Sequence, residues 1–131
     1  LILTDRKGNT HKWSIEGYTP PAEETRPRSQ YHKLARKMLG EIYPNSLILE
    51  EVQLPGTQLL VDFFLPHLKI AVEVHGEQHY EFIPHFHGNY LGFLKQRIRD
   101  SDKAEWFMIN NIKLIELDYR KSIDEWRDTL R

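Results

Sequence analysis

The chain has 131 residues, a net charge of −1, 40% hydrophobic and 28% charged residues, and no cysteine. This length predicts one domain that can bury a core, and the composition is typical of a soluble globular protein. The absence of cysteine excludes disulfides, thiolate nucleophiles and thiolate zinc sites. No apolar run reaches the roughly 18 residues of a membrane span, so we expect no membrane partner. Because the chain begins with Leu1, we expect a domain of a longer protein.

The near-neutral total conceals segments of opposite charge. Residues 26–37 carry a net charge of +5, and residues 95–103 carry four basic against two acidic side chains. Between them, residues 41–81 hold seven acidic side chains and one basic side chain. Such asymmetry indicates what the protein binds rather than how it folds. One interpretation is that these charged side chains only face solvent. The other is that the acidic segment forms a cation-binding centre and the two basic segments beside it contact phosphate.

The N-terminal part, residues 1–28, is predicted to form a small hairpin and an arm. Within residues 1–16, the dipeptide Gly8-Asn9 indicates a turn between two short extended segments. Residues 17–28 contain three prolines and little apolar material, which predicts an extended linker.

Residues 29–131 are predicted to form one domain of the α/β (α+β) class. A helix begins after Ser29, a good N-cap residue, and ends at Pro44-Asn45. Three short strand-like segments, a long helix, a fourth strand and a last helix follow. This order predicts a mixed sheet of about four strands flanked by helices. The predicted strands are residues 47–54, 59–65, 69–75 and 112–119, and the later helices are residues 91–110 and 123–130.

Two acidic residues interrupt the apolar strand segments: Asp62 in LLVDFFL and Glu73 in KIAVEVH. The short link between these segments predicts antiparallel neighbours, so Asp62 can lie near Glu73. Two close carboxylates repel each other unless a cation or a proton lies between them, and Mg²⁺ prefers carboxylate and carbonyl oxygens. The alternative is a pair of solvent-facing acids on an amphipathic sheet.

Four of the seven histidines fall within residues 75–87. His75 shares a strand face with Glu73 because side chains two apart on a strand point the same way. Neutral imidazole is a good zinc ligand, although the spacing matches no strong zinc signature. A zinc-binding histidine cluster therefore stays open as an alternative. Its members would be His75, His79, His85 and His87.

The spacing Asp62-x10-Glu73-x-His75 resembles the core of the PD-(D/E)XK nucleases, with His75 where lysine is usual. The stretch LLVDFFLPHLKIAVEVHGEQHY is more similar to one subgroup, the very-short-patch repair endonucleases and the phage EDxHD-type homing endonucleases. The later run RDSDKAEWFMINNIKLIELDY resembles the helix and last strand of that subgroup, with Asp100 and Lys103 at its D-x-x-K positions. The resemblance covers about residues 26–120 and implies a restriction-endonuclease-like fold.

The sequence departs from this subgroup at two places. His75 replaces the usual aspartate, while four later positions match, namely Gly76, Gln78, His79 and Tyr80. A glutamate that some relatives carry in the first helix has no counterpart, so either His32 or Gln30 takes its place or that contribution is missing.

The resemblance implies a metal-dependent DNA endonuclease that hydrolyses phosphodiester bonds. It would be phage-encoded, would act in homing, repair or DNA processing, and would be cytoplasmic in a bacterial or phage-infected cell. Asp62, Glu73 and the Val74 carbonyl would hold Mg²⁺ or Mn²⁺, and His75 would activate a water. The expected catalytic residues are Asp62, Glu73, His75, Gln78 and His79.

Further residues would support this centre or bind DNA. Glu51 would assist the metal, and side chains of the long helix would reach the phosphate, namely Arg97, Asp100 and Lys103. The basic segment would contact the DNA backbone through Arg26, Arg28, Lys33, Arg36 and Lys37. Expected partners are DNA and either a second copy of the chain or a missing specificity domain or partner protein. The alternatives are a catalytically inactive nucleic-acid-binding module on the same fold and the zinc-binding protein.

Overall fold

The computed structural model describes residues 1–14 and 29–131. Its elements confirm the predicted α/β class, with strands and helices in the predicted order. Among the described residues, no helix is both long and apolar enough to cross a membrane. The strands are β1 (Ile2–Thr4), β2 (Thr10–Lys12), β3 (Leu49–Gln53), β4 (Leu60–Leu65), β5 (Ile70–His75) and β6 (Lys113–Asp118). The helices are α1 (Gln30–Ile42), α2 (Pro84–His87), α3 (Tyr90–Ile109) and α4 (Ile123–Leu130), with a 3₁₀ turn at Glu77–His79.

The predicted N-terminal hairpin is confirmed, because β1 and β2 pair antiparallel. Its Leu3 and Trp13 are buried against the main domain, where the Trp13 ring meets Phe64 edge-on at 5.4 Å. The arm predicted at residues 17–28 lies outside the described residues.

The main sheet has the strand order β3-β4-β5-β6. The first two pairings are antiparallel and the last is parallel, which confirms the predicted mixed sheet. Between β4 and β5, Phe63 pairs with Val72. The same register brings Asp62 opposite Glu73 at the end of this ladder.

Each face of the sheet is covered by helices. Trp106 and Phe107 of α3 pack on one face in a cluster with Phe64 and Ala71. On the other face, α1 and α4 pack on the sheet in a second cluster. Its members include Ala35, Met38, Leu39, Phe63, Val72, Ile115, Trp126 and Leu130. The sheet is therefore an inner layer whose polar strand ends lie between α1 and α3.

The beginning of α1 follows the prediction. Ser29 has extended backbone and its Oγ accepts a hydrogen bond from the His32 N–H at 3.0 Å, which satisfies one of the free amides of the first turn. The short helix α2 was not predicted. It has Pro84 at its start and ends at Gly88, where φ is +76°, and four residues carry too little periodicity to indicate a helix.

Trp106 anchors α3 to the sheet, so its removal is expected to destabilise the fold. It is 1% exposed, and its indole N–H donates to the Pro55 carbonyl at 3.1 Å. We expect Trp106→Ala to lower the free energy of unfolding by about 3–5 kcal/mol in urea titrations. The control Met108→Ala, two residues away and 76% exposed, should stay within about 0.5 kcal/mol. Equal effects of the two substitutions would contradict this packing.

Candidate active site

Asp62 and Glu73 lie together where β4 and β5 separate. The Asp62 Oδ2 atom accepts a hydrogen bond from the Val74 N–H at 2.8 Å. This side chain therefore pairs with a backbone amide just past the end of the β4–β5 ladder. Glu73 is 3% exposed, and it lines the same pocket as Asp62, which is partly buried. The prediction that these two acids lie close together is confirmed, and Val74 is beside them through its N–H.

Lys103 of α3 reaches the same carboxyl pair. Its Nζ lies 2.9 Å from Glu73 Oε1, and its side chain is only 14% exposed. The contact lacks hydrogen-bond geometry, so among the described residues the buried Oε1 has no hydrogen-bond partner. Burial and the charge of Asp62 raise the pKa of Glu73 well above its usual value, and the nearby Lys103 opposes this only in part. The pair thus favours an additional positive charge or a proton.

A histidine–aspartate pair stands next to the carboxylates. His79 Nδ1 lies 2.8 Å from Asp100 Oδ2, and Gln96 donates to the other oxygen of Asp100 at 3.1 Å. Burial pushes the pKa of Asp100 upward, but the hydrogen bond and charge of His79 outweigh it and the net pKa is lowered. Asp100 is therefore an ionised acceptor that fixes the orientation of the His79 ring.

His75 stacks on His79, with ring centroids 4.1 Å apart and an interplanar angle of 4°. Burial, and then the neighbouring His79, lower the pKa of His75 to about 4. His75 is therefore uncharged near neutral pH. Its Nδ1 lies 3.6 Å from Glu116 Oε2, on the side of the site away from Asp62.

These side chains line two adjoining pockets. The larger one, about 420 Å³, contains the carboxylate pair and Lys103 and is open to solvent. The smaller one, about 250 Å³, contains His75 and Asp100, and His79 lines both. The larger pocket is also lined by Ser29, His32, Gln58, Leu59, Leu60, Val74, Gln78, Gln96 and Arg99.

The structure brings together six predicted site residues in the larger pocket and separates others from it. The six are Asp62, Glu73, Val74, Gln78, His79 and Lys103. Asp100 joins them through His79. Glu51 is on β3 with φ of +50° and is not among the lining residues. Arg97 faces the smaller pocket, with its guanidinium 5.7 Å from the Phe93 ring centroid.

The predicted DNA-contacting residues divide into three groups. Arg26 and Arg28 lie outside the described residues, and Lys33 and Lys37 are exposed on α1. Arg36 differs from expectation, because it forms a bidentate ion pair with Glu50, with both contacts at 2.8 Å.

The reason for the Arg36 contact is the burial of Glu50. The side chain of Glu50 is 3% exposed, and His32 Nε2 lies 2.9 Å from its Oε1. Burial pushes the pKa of Glu50 upward, but the bonds from Arg36 and His32 outweigh it and the net pKa is lowered. Arg36 therefore balances an internal charge.

Several pocket residues were not predicted from the sequence. Gln96 and Arg99 precede Asp100 and Lys103 by four residues on α3, so helical spacing alone could have placed them on the same side. Gln58 lies in the turn before β4, where no periodic signal exists.

The predicted four-histidine zinc site is not assembled. His87 is occupied by local contacts, with its Nδ1 accepting from the Ile83 N–H at 3.0 Å and its Nε2 2.8 Å from the Gln78 carbonyl. His85 is exposed beside Phe86. Among the described residues, the group with metal-ligand spacing is instead His75, His79 and Asp100, whose ligand atoms lie within 4.8 Å of one another.

Comparison with known proteins assigns the chain to a viral family. Uncharacterized protein 094L of Frog virus 3 is 40% identical over 123 residues, which are 91% of this chain and 77% of the relative. The chain belongs to the family of this protein. No protein-family model matches, and no solved structure matches significantly.

Two further relatives match over shorter regions. Protein 307L of Invertebrate iridescent virus 6 is 48% identical over 61 residues, 47% of this chain and 31% of the relative. Protein 033L of Invertebrate iridescent virus 3 is 38% identical over 64 residues, which are 49% of this chain and 33% of the relative. These matches span about a third of the two invertebrate-virus proteins. The relatives are viral, as expected, but they come from frog and invertebrate viruses rather than phages.

The raised pKa of Glu73 predicts how stability depends on pH. Above the usual glutamate pKa of 4.5, the folded protein retains a proton that the unfolded chain has lost, so stability falls as the pH rises through the folded-state pKa. Glu73→Gln removes this dependence. Its free energy of unfolding relative to wild type should therefore increase between about pH 5 and about pH 8, by more than ~0.5 kcal/mol.

Urea titrations across this pH range measure the difference. Glu41→Gln is the matched control, since Glu41 is partly exposed on α1 beside Arg127. A difference between Glu73→Gln and wild type that is constant with pH would contradict the raised pKa.

Proposed function

We propose that this protein is a metal-dependent DNA endonuclease that hydrolyses phosphodiester bonds with Mg²⁺ or Mn²⁺. The observation that carries the proposal is that Asp62 and the buried Glu73 line one open pocket together, with Lys103 Nζ 2.9 Å from Glu73 Oε1. Burying two like charges together is costly unless something compensates them. One lysine compensates one of the two charges, so the second carboxylate needs either a proton or a cation, and a bound metal ion would displace that proton.

The donor set fits a hard divalent cation. Asp62 and Glu73 supply the carboxylate oxygens, and Oε1 of Glu73 already lies 2.9 Å from one cation, the Lys103 Nζ. Mg²⁺ is usually held by one or two carboxylates and completes its shell with water and substrate phosphate. When bound, such an ion polarises the phosphate and lowers the pKa of a coordinated water.

The protein's own residues then have separate tasks around the phosphate. Lys103 and Arg99 line the pocket and are cations that attract the phosphate oxygens. Gln78 offers an amide donor on the same wall. These groups would hold the scissile phosphate against the carboxylate pair and neutralise the charge that develops on it.

His79 is the candidate acid–base residue, in place of the sequence-based choice of His75. Its Nδ1 is engaged by Asp100 at 2.8 Å, and in the tautomer that donates this hydrogen bond Nε2 is the proton acceptor. Because His79 lines the pocket of the carboxylate pair, it can take a proton from the attacking water or return one to the leaving oxygen. His75 stacks behind it and would keep the ring in place.

Cleavage of a supercoiled plasmid and of circular single-stranded DNA with Mg²⁺ or Mn²⁺ tests the proposal. We expect wild-type cleavage, and a loss of at least about 10²-fold in Asp62→Asn and His79→Ala, as is common when a catalytic group is removed. DNA binding, measured by fluorescence anisotropy, should be retained in both variants. The control Asp124→Asn changes an exposed acid in the first turn of α4 and should cleave normally.

The inactive-module alternative gives a different result in the same assay. Bound DNA with no wild-type cleavage under either metal would contradict the endonuclease and favour a nucleic-acid-binding module. Equal cleavage by wild type and Asp62→Asn would indicate a contaminating nuclease and would also contradict the proposal.

A zinc-dependent hydrolase is the second candidate, because His75, His79 and Asp100 have ligand atoms within 4.8 Å of one another. Two imidazoles and a carboxylate are a common catalytic zinc set. Elemental analysis of the purified protein separates the two candidates. The endonuclease proposal predicts no stoichiometric zinc, whereas one zinc per chain that disappears in His75→Ala would favour the second candidate.

A further inference from the structure

A third pocket of about 250 Å³ adjoins the proposed phosphodiester site. The two pockets share Ser29 and Gln78 in their linings. A strand whose phosphate lies next to Lys103 would therefore have a neighbouring nucleotide at the mouth of this third pocket. The sequence patterns and the proposed mechanism leave this pocket without a role.

Aromatic rings form much of its wall. Tyr31, Phe86 and Tyr119 line it, with the rings of Tyr31 and Tyr119 6.2 Å apart and tilted by 58°. Phe86 is 59% and Tyr31 42% exposed, which leaves their faces available to a ligand. Exposed aromatic faces are the groups on which proteins stack the bases of single-stranded nucleic acid.

One of these rings is held by the main domain. The Tyr119 N–H donates to the His75 carbonyl at 3.0 Å, and the Tyr119 ring lies 6.0 Å from that of Tyr80. This ring is half-buried, so it offers a fixed surface. Fixed aromatic groups lose little conformational entropy when a flat ligand stacks on them.

The polar groups of the pocket suit the edge of a base. Ser29 accepts the His32 N–H with its oxygen, so its hydroxyl hydrogen can be donated elsewhere, and Glu77 and Gln78 add an acceptor and an amide. Gly76 leaves room for this Gln78 rotamer, since the Gln78 Oε1 lies 2.7 Å from where a Cβ on Gly76 would be. A base that has left its stack carries unpaired donors and acceptors of this kind.

We infer that this pocket takes one unstacked nucleobase next to the cleaved phosphate, so that the substrate is single-stranded DNA or a displaced single strand rather than continuous duplex. The inference rests on the proposed nuclease function only for the position of the cleaved phosphate. Removing a base from duplex costs pairing and stacking energy, which a single strand has already lost.

The test compares the binding of fluorescein-labelled oligo-dT with that of a labelled duplex of equal length, in EDTA, by fluorescence anisotropy. We expect wild-type protein to bind the single strand at least about tenfold more tightly, and Phe86→Ala and Tyr119→Ala each to lose about tenfold of that affinity. Duplex affinity should stay unchanged. Phe86 is largely exposed, so Phe86→Ala tests the pocket even if Tyr119→Ala destabilises the fold.

Two variants sharpen the result. Tyr119→Phe retains the ring and should bind like wild type, and Tyr90→Ala removes a tyrosine that is 61% exposed on α3 outside the pocket and should also bind like wild type. Equal affinities of wild type for the two DNAs, or a similar loss for both DNAs in Phe86→Ala, would overturn the inference. The anisotropy assay measures binding and not cleavage. Plasmid nicking without a binding preference for the single strand would therefore refute only the role of this pocket. A preference for the single strand without cleavage of either plasmid or single-stranded DNA would support the pocket and refute the nuclease.

Discussion

The placement of Asp62 beside the buried Glu73 in one pocket is the constraint on which the rest of the site depends. Both residues occupy strands whose other side chains are largely apolar, and Glu73 is almost fully buried. Lys103 offsets part of the repulsion at 2.9 Å, and this requires α3 to lie across the sheet. The packing of Trp106 on the sheet thus determines the position of the lysine that the carboxylates need.

Charge balance distinguishes this pair from the other buried acid near the pocket. Glu50 is compensated by a bidentate Arg36 and by His32, so it is a satisfied structural ion pair. The Asp62 and Glu73 pair has one lysine and a buried oxygen without a hydrogen-bond partner among the described residues. Two carboxyl groups that share one lysine in an accessible pocket take up either a proton or a cation.

The basic side chains of this nearly neutral chain differ in how accessible they are in the fold. The basic segment before and within α1 is not wholly available to a nucleic acid, since Arg36 is used internally. On α3, by contrast, Arg99 and Lys103 face the acidic centre. The cations of the site therefore come chiefly from α3, and any sequence-independent affinity for DNA should be modest and sensitive to salt.

The sequence predicted the strand meander, the long helix and the closeness of Asp62 and Glu73, because alternation, turn residues and a short link determine register locally. It did not predict the pairing of His79 with Asp100 or the stacking of His75 on His79. The spacing along β5 places Glu73 and His75 on one strand face. The distance from His79 to Asp100 depends instead on how α3 crosses the sheet. The basic run predicts that Arg36 contacts DNA. Its actual partner, Glu50, lies on β3, and the residue pattern within α1 cannot indicate a partner on another element.

Diffraction from crystals soaked in Mn²⁺ tests the central claim most directly, since anomalous difference density locates the ion without any assumption about activity. The account predicts a peak between the Asp62 and Glu73 carboxylates, and its loss in Asp62→Asn. A peak confined to the group of His75, His79 and Asp100, or no peak at saturating Mn²⁺, would contradict it.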